Sequence, residues 1–142
     1  MRLRGGRQDN MNRTQPAATL GSGVDIIEIS RVRQVLERYG QRFLDRVYTP
    51  EEIAYCRGRP PNLAARFAAK EATMKALGTG IRGVGWKDIE VVHHDSGAPA
   101  IHLHGRGKSR AQVLGVEEIS VSLSHSREYA VAFVVVRLGL QA

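Results

Sequence analysis

The sequence predicts a single α+β domain in which the strands pair mainly antiparallel. The chain has 142 residues, enough for one hydrophobic core and too few for two comfortable ones. Strand-like and helix-like patterns follow each other in the order strand, helices, two strands, helix, two strands. The last two strands, ISVSLSHS and YAVAFVVVR, are separated by a short turn and therefore predict a hairpin.

The first predicted elements are a strand and an amphipathic helix. GSGVDIIEI is apolar and β-branched after flexible glycines, which is typical of a strand. Ser30 is expected to cap a helix whose apolar residues recur at helical spacing, and Gly40 ends it. These apolar residues are Val32, Val35, Leu36 and Tyr39. A shorter helical segment follows, with apolar residues Phe43, Leu44 and Val47.

Two further helices are indicated by their ends. Thr49 and Glu52 form a capping box with Pro50 at the first helical position, so a third helix starts there. Asn62 is expected to cap a fourth helix, which Gly78 closes. Alanines form a stripe along this helix and allow close approach to a neighbouring element. The stripe comprises Ala65, Ala68, Ala72 and Ala76.

The second half of the chain predicts two hairpins around one helix. IEVVHH and AIHLHG are strand-like and are joined by a turn at 95–97. GRGKSRAQVLG is predicted to be a helix. In the final hairpin YAVAFVVVR is apolar almost throughout, so we expect it to be the central strand of its sheet.

Composition limits the classes of function. The formal charge is +7, which favours an acidic partner or a polyphosphate ligand, although solubility alone would explain it. The single cysteine, Cys56, excludes an intramolecular disulfide, and a reducing cytoplasm is the expected location. No apolar run approaches the roughly 20 residues of a membrane helix. Residues 1–19, rich in Arg, Gln, Asn and Gly, are expected to be a disordered extension of a folded domain over 20–142.

One helix and one strand carry the strongest chemical signal. Asp25 lies in an apolar strand and either faces water at the strand end or binds a metal. Glu71 and Lys75 lie four residues apart on one helix face and form either an ion pair or part of a site. Arg66 and Lys70 are spaced likewise, so they either reach solvent or hold an anion between them. If these four helix side chains all point outward, the Glu71 carboxylate and the three cations could together bind Mg²⁺ and a phosphate.

Other candidate residues each have two interpretations. GTGIRG (78–83) matches GxGxxG, but it begins where a helix ends. A dinucleotide site is rejected, because that motif must follow a strand and open a helix. His125, at the turn of the last hairpin, is either solvated or functional. His102 and His104 share a strand face and could chelate a metal, though a solvated pair is favoured. The arginines of the first helical region form either a solvated face or a dock for an acidic helix. These are Arg31, Arg38, Arg42 and Arg46.

Taken together, these motifs resemble the small bacterial holo-[acyl-carrier-protein] synthases of the 4′-phosphopantetheinyl transferase family. The first motif, GxDxxEIxR, covers Gly23–Arg31. The second, RFAAKEAxxKAxGTG, covers residues 66–80, and the third, SLSHSxEYAVA, covers residues 122–132. Three separate motifs in the right order are more specific than any one of them, and the resemblance extends over nearly all of the chain from residue 21 onward.

The resemblance implies a fold, an activity and a site. We expect the 4′-phosphopantetheinyl transferase fold, with one domain per chain, and transfer of phosphopantetheine from coenzyme A to a serine of apo acyl carrier protein for fatty acid biosynthesis. Asp25 and Glu71 are expected to bind Mg²⁺, and Lys75 to neutralise or protonate the phosphates. A Mg²⁺-bound water or one carboxylate would deprotonate the serine. The implied coenzyme A contacts are Arg66, Lys70, Lys75, Gly78 and His125. The implied carrier-protein contacts are Arg31, Arg38, Arg42 and Arg46.

The resemblance also implies a homotrimer with sites between subunits, and neither a membrane nor a nucleic acid as a partner. Two alternatives remain at the level of sequence. The first is a basic RNA-binding domain without catalysis, which the charge permits but the low aromatic content disfavours. The second is a carrier-binding module that has lost catalysis, which the presence of both Asp25 and Glu71 disfavours.

Overall fold

The computed structural model of the protein describes residues 19–139. Five helices and five strands follow each other there in the predicted order, and one 3₁₀ turn (Trp86–Asp88) precedes the second strand. The strands are β1 (Thr19–Glu28), β2 (Ile89–His93), β3 (Pro99–Leu103), β4 (Val116–His125) and β5 (Tyr129–Leu138). The helices are α1 (Ile29–Tyr39), α2 (Gln41–Val47), α3 (Pro50–Cys56), α4 (Pro60–Ala76) and α5 (Gly105–Leu114). Apart from Thr19, which begins β1, the predicted extension over 1–19 lies outside the described residues.

Both sheets are antiparallel, which confirms the predicted α+β class. The larger sheet has the order β1-β5-β4, and β2 pairs with β3 in the smaller one. The apolar strand β5 is central, as predicted. In the register of the larger sheet, Asp25 lies opposite Ala132, which lies opposite Leu123. These three residues therefore share one sheet face, which we call the inner face.

Helix α4 packs on this inner face with its alanine stripe. Ala68 and Ala72 are fully buried, as are Val134 and Val136 of β5. A Cβ added at Gly23 would lie only 2.0 Å from the carbonyl oxygen of Ala72. The backbones of β1 and α4 therefore touch, and only glycine fits between them. This close approach brings Asp25 beside the middle of α4.

The helix ends test the capping predictions. Thr49 and Glu52 form the predicted capping box at the start of α3. The caps predicted at Ser30 and Asn62 are wrong. α1 already begins at Ile29, because the Ile29 amide continues the sheet by donating to the carbonyl of Glu128 at 2.8 Å. α4 begins two residues before Asn62, since consecutive prolines fit a first turn whose amides need no helical partner.

On the opposite face of the larger sheet, β1 and β5 carry apolar side chains that the rest of residues 19–139 leaves exposed. Large side chains from β1 and β5 lie there with exposures between 44% and 67%. We call these residues the outer sheet face: Leu20, Val24, Ile26, Tyr129 and Phe133. Within residues 19–139, no helix combines the length and the apolar character needed to cross a membrane.

Candidate active site

Asp25 and Glu71 meet at one cavity of about 360 Å³. β1 supplies Asp25 on its inner face, and α4 supplies Glu71 one residue before the alanine that contacts β1. The remaining lining is apolar except for one arginine. It consists of Ile26, Ile27, Arg31, Val32, Val35, Phe43 and Phe67. Two carboxylates distant in sequence are thus brought together at an otherwise largely apolar surface.

Lys75 joins α4 to β1 at the same place. Its ammonium lies 3.3 Å from Asp25 Oδ1 and donates to the Val24 carbonyl at 2.9 Å. The Lys75 side chain is 54% exposed, whereas that of Asp25 is 15% exposed. Lys75 therefore interacts across to the strand rather than only along its own helix, and it keeps access to solvent.

The electrostatics of the site favour a bound cation. Burial raises the pKa of Glu71, the neighbouring Asp25 raises it further, and Lys75 opposes both effects. Among the described residues, Lys75 is the only cation that lowers the pKa of Glu71, although Arg31 also lines the cavity. Hard divalent cations such as Mg²⁺ are bound through one or two carboxylates together with substrate phosphates. The donor set of Asp25 and Glu71 fits that coordination.

Arginines of α1 and α2 extend the site along the surface. Arg31 lines the cavity with the two carboxylates. A second cavity of about 270 Å³ shares Val35 and Phe43 with the first and is also lined by Arg42 and Arg46. Three of the four predicted carrier-protein contacts therefore line two adjoining cavities. The fourth, Arg38, lies in neither and places its guanidinium 5.3 Å from the ring centre of Tyr39.

Residues 21–134 match the family model of the 4′-phosphopantetheinyl transferase superfamily. The chain belongs to this superfamily. Its relatives include the holo-[acyl-carrier-protein] synthase of Moorella thermoacetica, 52% identical over 120 residues, with 82% of this chain and 93% of the relative covered. The enzyme of the same name from Herpetosiphon aurantiacus is 50% identical over 123 residues, with 82% and 97% covered.

Solved structures show that the fold is also that of the superfamily. Helicobacter pylori holo-[acyl-carrier-protein] synthase, in complex with coenzyme A, matches with a TM-score of 0.75 at 34% identity, covering 81% of this chain and 98% of that one. The synthase of Bacillus anthracis, in complex with CoA (3′,5′-ADP), matches with a TM-score of 0.71 at 36% identity, covering 87% and 100%. The RNA-binding alternative receives no support from these similarities.

One predicted phosphate contact of this phosphopantetheinyl transferase is wrong. Lys70 does not point outward, because its side chain is fully buried and its ammonium lies 2.7 Å from Glu52 Oε1. The same ammonium donates to the carbonyls of Trp86 and Ile89, so its three donors are used. Burial lowers the pKa of Lys70, and the Glu52 carboxylate opposes that shift. Lys70 is a core residue and not a ligand of coenzyme A.

Arg66 is also turned inward, and its predicted outward orientation is wrong. The residue is only 3% exposed. Its guanidinium lies over the Tyr55 ring at 4.2 Å from the ring centre and within 3.3 Å of His93 Nε2. The helical spacing correctly predicts that Arg66 and Lys70 lie on one stripe of α4. That stripe faces α3 and β2 because α4 is enclosed on nearly all sides.

Gly78 and His125 do not reach the carboxylates within one chain of the transferase. Gly78 follows the end of α4 with a φ of 70°, as predicted for a closing glycine. His125 ends β4, at the sheet edge opposite β1, and is exposed. Neither residue lines the cavity of Asp25 and Glu71. Their predicted contacts with coenzyme A therefore remain predictions.

Sequence reasoning missed two polar partners. Glu52 was assigned only to the capping box, yet its carboxylate also pairs with Lys70 and accepts from the Val91 amide at 3.0 Å. His104 lies 2.8 Å from Glu90 rather than forming a metal site with His102. The described residues contain no cluster of three or more His, Cys, Asp or Glu suited to a metal. Nothing in the sequence indicates that Glu52, a charged residue in the first turn of a helix, is buried.

Proposed function

We propose that the chain transfers the 4′-phosphopantetheine group of coenzyme A to a serine hydroxyl of apo acyl carrier protein, releasing 3′,5′-ADP. The observation that carries this proposal is the convergence of Asp25, Glu71 and Lys75 at one cavity, in a member of the 4′-phosphopantetheinyl transferase superfamily. The names of the relatives and the coenzyme A complexes of two solved structures support the same reaction.

We further propose that Asp25 and Glu71 hold Mg²⁺. When bound, Mg²⁺ would neutralise charge on the pyrophosphate of coenzyme A and acidify a coordinated water. The two carboxylates would hold the ion in a largely apolar cavity, where electrostatic interactions are stronger than in water. A water coordinated to the ion, or one of the two carboxylates, would accept the serine proton.

Lys75 is suited to stabilise the phosphates during transfer. An ammonium has three donors, and two of those of Lys75 face Asp25 and the Val24 carbonyl. The remaining N–H can point to a phosphoryl oxygen while the other two keep the side chain in place. Such fixed cations supply most of what phosphoryl transfer needs from a protein.

The arginines along α1 and α2 are proposed to dock the carrier protein. Arg31, Arg42 and Arg46 follow the two adjoining cavities, so they would lie along one strip beside the carboxylates. An acidic helix placed on this strip would present its serine to the cavity. Arg38 lies outside both cavities and is expected to contribute least.

We propose that three copies assemble through the outer sheet face. The exposed apolar side chains there are unusual for a solvated surface and suit a contact between protein chains. Assembly would also let His125 and Gly78 of a neighbouring copy approach a site from which they are remote within one chain. We place this assembly in the cytoplasm, where the free and buried Cys56 would stay reduced.

The experiment that tests the reaction uses the purified protein, coenzyme A, Mg²⁺ and an apo acyl carrier protein, followed by intact mass. We expect the carrier to gain one phosphopantetheine and the gain to stop when EDTA removes the metal. Asp25→Asn and Glu71→Gln should each abolish the gain while circular dichroism stays unchanged. Asp45→Asn is the matched control, since Asp45 is exposed and bonds only Gln41 on its own helix. Full activity of both site variants would refute the metal assignment.

A further inference from the structure

A buried ion pair lies directly behind the proposed metal ligand Glu71. Lys70 and Glu52 both have side chains with 0% exposure, and their charged atoms are 2.7 Å apart. The Glu52 carboxylate also accepts from the amides of Thr49 and Val91. With the carbonyls of Trp86 and Ile89, the Lys70 ammonium has a full set of acceptors. The pair thus ties α4 to α3, the 3₁₀ turn and β2.

Such a pair is not explained by stability alone. Transferring two charges from water into a core costs about as much as their attraction returns, so apolar residues of similar volume are often equally stable. The best-supported benefit of buried charge pairs is that they fix one packing arrangement.

On its alanine-rich side α4 has few large side chains that would set its rotation, so the larger buried residues on its other sides must do so. Ala65, Ala68, Ala69 and Ala72 are small and nearly or fully buried, so they offer few ridges to interlock with neighbours. A rotation of roughly 20° would move a side-chain tip about 6 Å from the helix axis by about 2 Å. A displacement of that size is large for a catalytic group, since about 1 Å can cost about 100-fold in rate.

The ion pair and the β1 contact hold α4 from two sides. Successive residues are about 100° apart around a helix, so Lys70 and Ala72 point in nearly opposite directions and Glu71 points between them. Ala72 sets the distance to β1 through its contact with Gly23. Lys70 sets the rotation through Glu52, because turning α4 would pull the ammonium away from its acceptors.

We propose that Glu52 and Lys70 are positioning residues, whose buried ion pair fixes the rotation of α4 and thereby keeps Glu71 directed at Asp25. Neither side chain lines the cavity, so the pair acts through Glu71 and not on the substrate. This inference rests on the proposed metal site. Residues that support metal ligands typically change metal affinity or activity by about 10- to 100-fold when mutated.

The test uses the double variant Glu52→Gln with Lys70→Met, which removes both charges and keeps the volume. Coenzyme A binding is measured by calorimetry at several Mg²⁺ concentrations, together with kcat and with KM for the carrier protein. We expect the Mg²⁺ concentration for half-maximal binding to rise at least about tenfold and kcat to fall about 10- to 100-fold. KM for the carrier protein should stay within about twofold.

Two controls separate positioning from loss of stability. Tyr48→Phe removes a buried hydrogen bond to the α4 carbonyl of Leu63 (2.7 Å) and keeps the aromatic ring, whose centre lies 5.7 Å from the Lys70 ammonium. It should lower the melting temperature and leave the Mg²⁺ requirement unchanged. If the double variant does not fold, Glu52→Asp keeps the charge but withdraws the carboxylate, and a smaller shift in the same direction is expected.

The outcomes distinguish this inference from the proposed function. A folded double variant, or a folded Glu52→Asp variant, with the native Mg²⁺ requirement and kcat would overturn the positioning role. Glu71→Gln serves as the reference for the site itself, since it leaves Lys70 and Glu52 in place. If Glu71→Gln kept full activity, the proposed metal site would fail, whatever the ion-pair variants did.

Discussion

Glu71 is held where an ionised carboxylate is disfavoured. Apolar side chains line its cavity, and Asp25 adds a like charge. Lys75 compensates only in part, because it is half exposed and also bonded to the Val24 carbonyl. An arrangement that costs stability in the free protein would become favourable on binding of the proposed cation and polyphosphate. Such a conflict between stability and function is common at active sites.

We predict that Glu71→Gln stabilises the metal-free protein at neutral pH. The folded-state pKa of Glu71 is raised above its unfolded value, which is about 4.3. The folded state therefore loses stability as pH rises through that raised pKa, and glutamine avoids the loss. We expect the free energy of unfolding to increase by about 0.5 kcal/mol at pH 7 in EDTA, and by less near pH 4. Urea unfolding at both pH values measures it, and a less stable variant at pH 7 would contradict the electrostatic account.

We predict that Lys75→Met lowers kcat by about 10²- to 10³-fold, as expected for loss of a group that stabilises transition-state charge. Stability should change by less than about 1 kcal/mol, because the Lys75–Asp25 pair is partly exposed. Steady-state kinetics and thermal melts provide the two readouts. Lys87→Met is the control, because Lys87 is exposed and lines neither cavity. An unchanged kcat for Lys75→Met would remove Lys75 from the mechanism.

At the scale of elements, the contact between β1 and α4 determines the site. Asp25 lies two residues after Gly23, whose missing side chain lets the strand touch the helix at Ala72. Glu71 lies one residue before Ala72 on α4. The distance between the carboxylates is therefore set by a contact between backbones, which deforms less readily than a contact between side chains.

We predict that Gly23→Ala destabilises the fold by about 2–4 kcal/mol and weakens metal-dependent coenzyme A binding. The added Cβ would lie 2.0 Å from a backbone oxygen, so β1 must move away from α4. Gly80→Ala is the matched control, since a Cβ there meets no atom within 4 Å. Urea unfolding and calorimetry measure both effects. Equal stability of the two variants would show that the strand can shift without cost.

For the whole molecule, the outer sheet face is an exposed apolar surface among the described residues 19–139. Its five large apolar side chains lie on one side of the sheet, opposite the face that packs on α4. Most exposed apolar residues on proteins are scattered, and a contiguous group is typical of an interface. The proposed trimer would bury it and place copies of the active site near each other.

We predict that Phe133→Lys converts the assembled protein to monomers and greatly lowers activity. Phe133 lies on the central strand, 48% exposed, within the outer sheet face. Val113→Lys on α5 is the matched control, because Val113 is apolar and 73% exposed but lies away from that face. Sedimentation velocity measures the assembly state. A Phe133→Lys variant that sediments like the wild-type trimer, or a wild-type protein that is monomeric, would contradict the proposed interface.

The order of elements could be predicted from the sequence because the local signals agree. Alternation, helical spacing and the Thr49 capping box all lead to the observed elements, and the apolar β5 was correctly placed in the centre. The convergence of Asp25 and Glu71 followed from the resemblance of motifs and not from spacing, since the two residues share no local element.

The orientation of the α4 cations could not be predicted from the sequence. Helical spacing places Arg66 and Lys70 on one stripe but does not say what covers it. α4 is enclosed by β1, β5 and β2, so the stripe lies in the core. The Lys70 charge is compensated by Glu52, and Arg66 lies over the Tyr55 ring and against His93 Nε2, all remote in sequence. The arginines of α1 and α2 are exposed, so for them helical spacing does predict the side-chain orientation.

The pairing of the first strand with the last has a consequence for biosynthesis. Among the described strands, β1 is hydrogen-bonded only to β5, with Thr19 opposite Leu138. Contacts so far apart in sequence require closure of a long loop, and the ribosome makes β5 after every other described element. A nascent chain stalled before Tyr129 would already contain Asp25, Glu71 and Lys75, yet β1 would have no neighbouring strand to hold it against α4. We therefore expect catalytic competence to arise only after translation of the final hairpin.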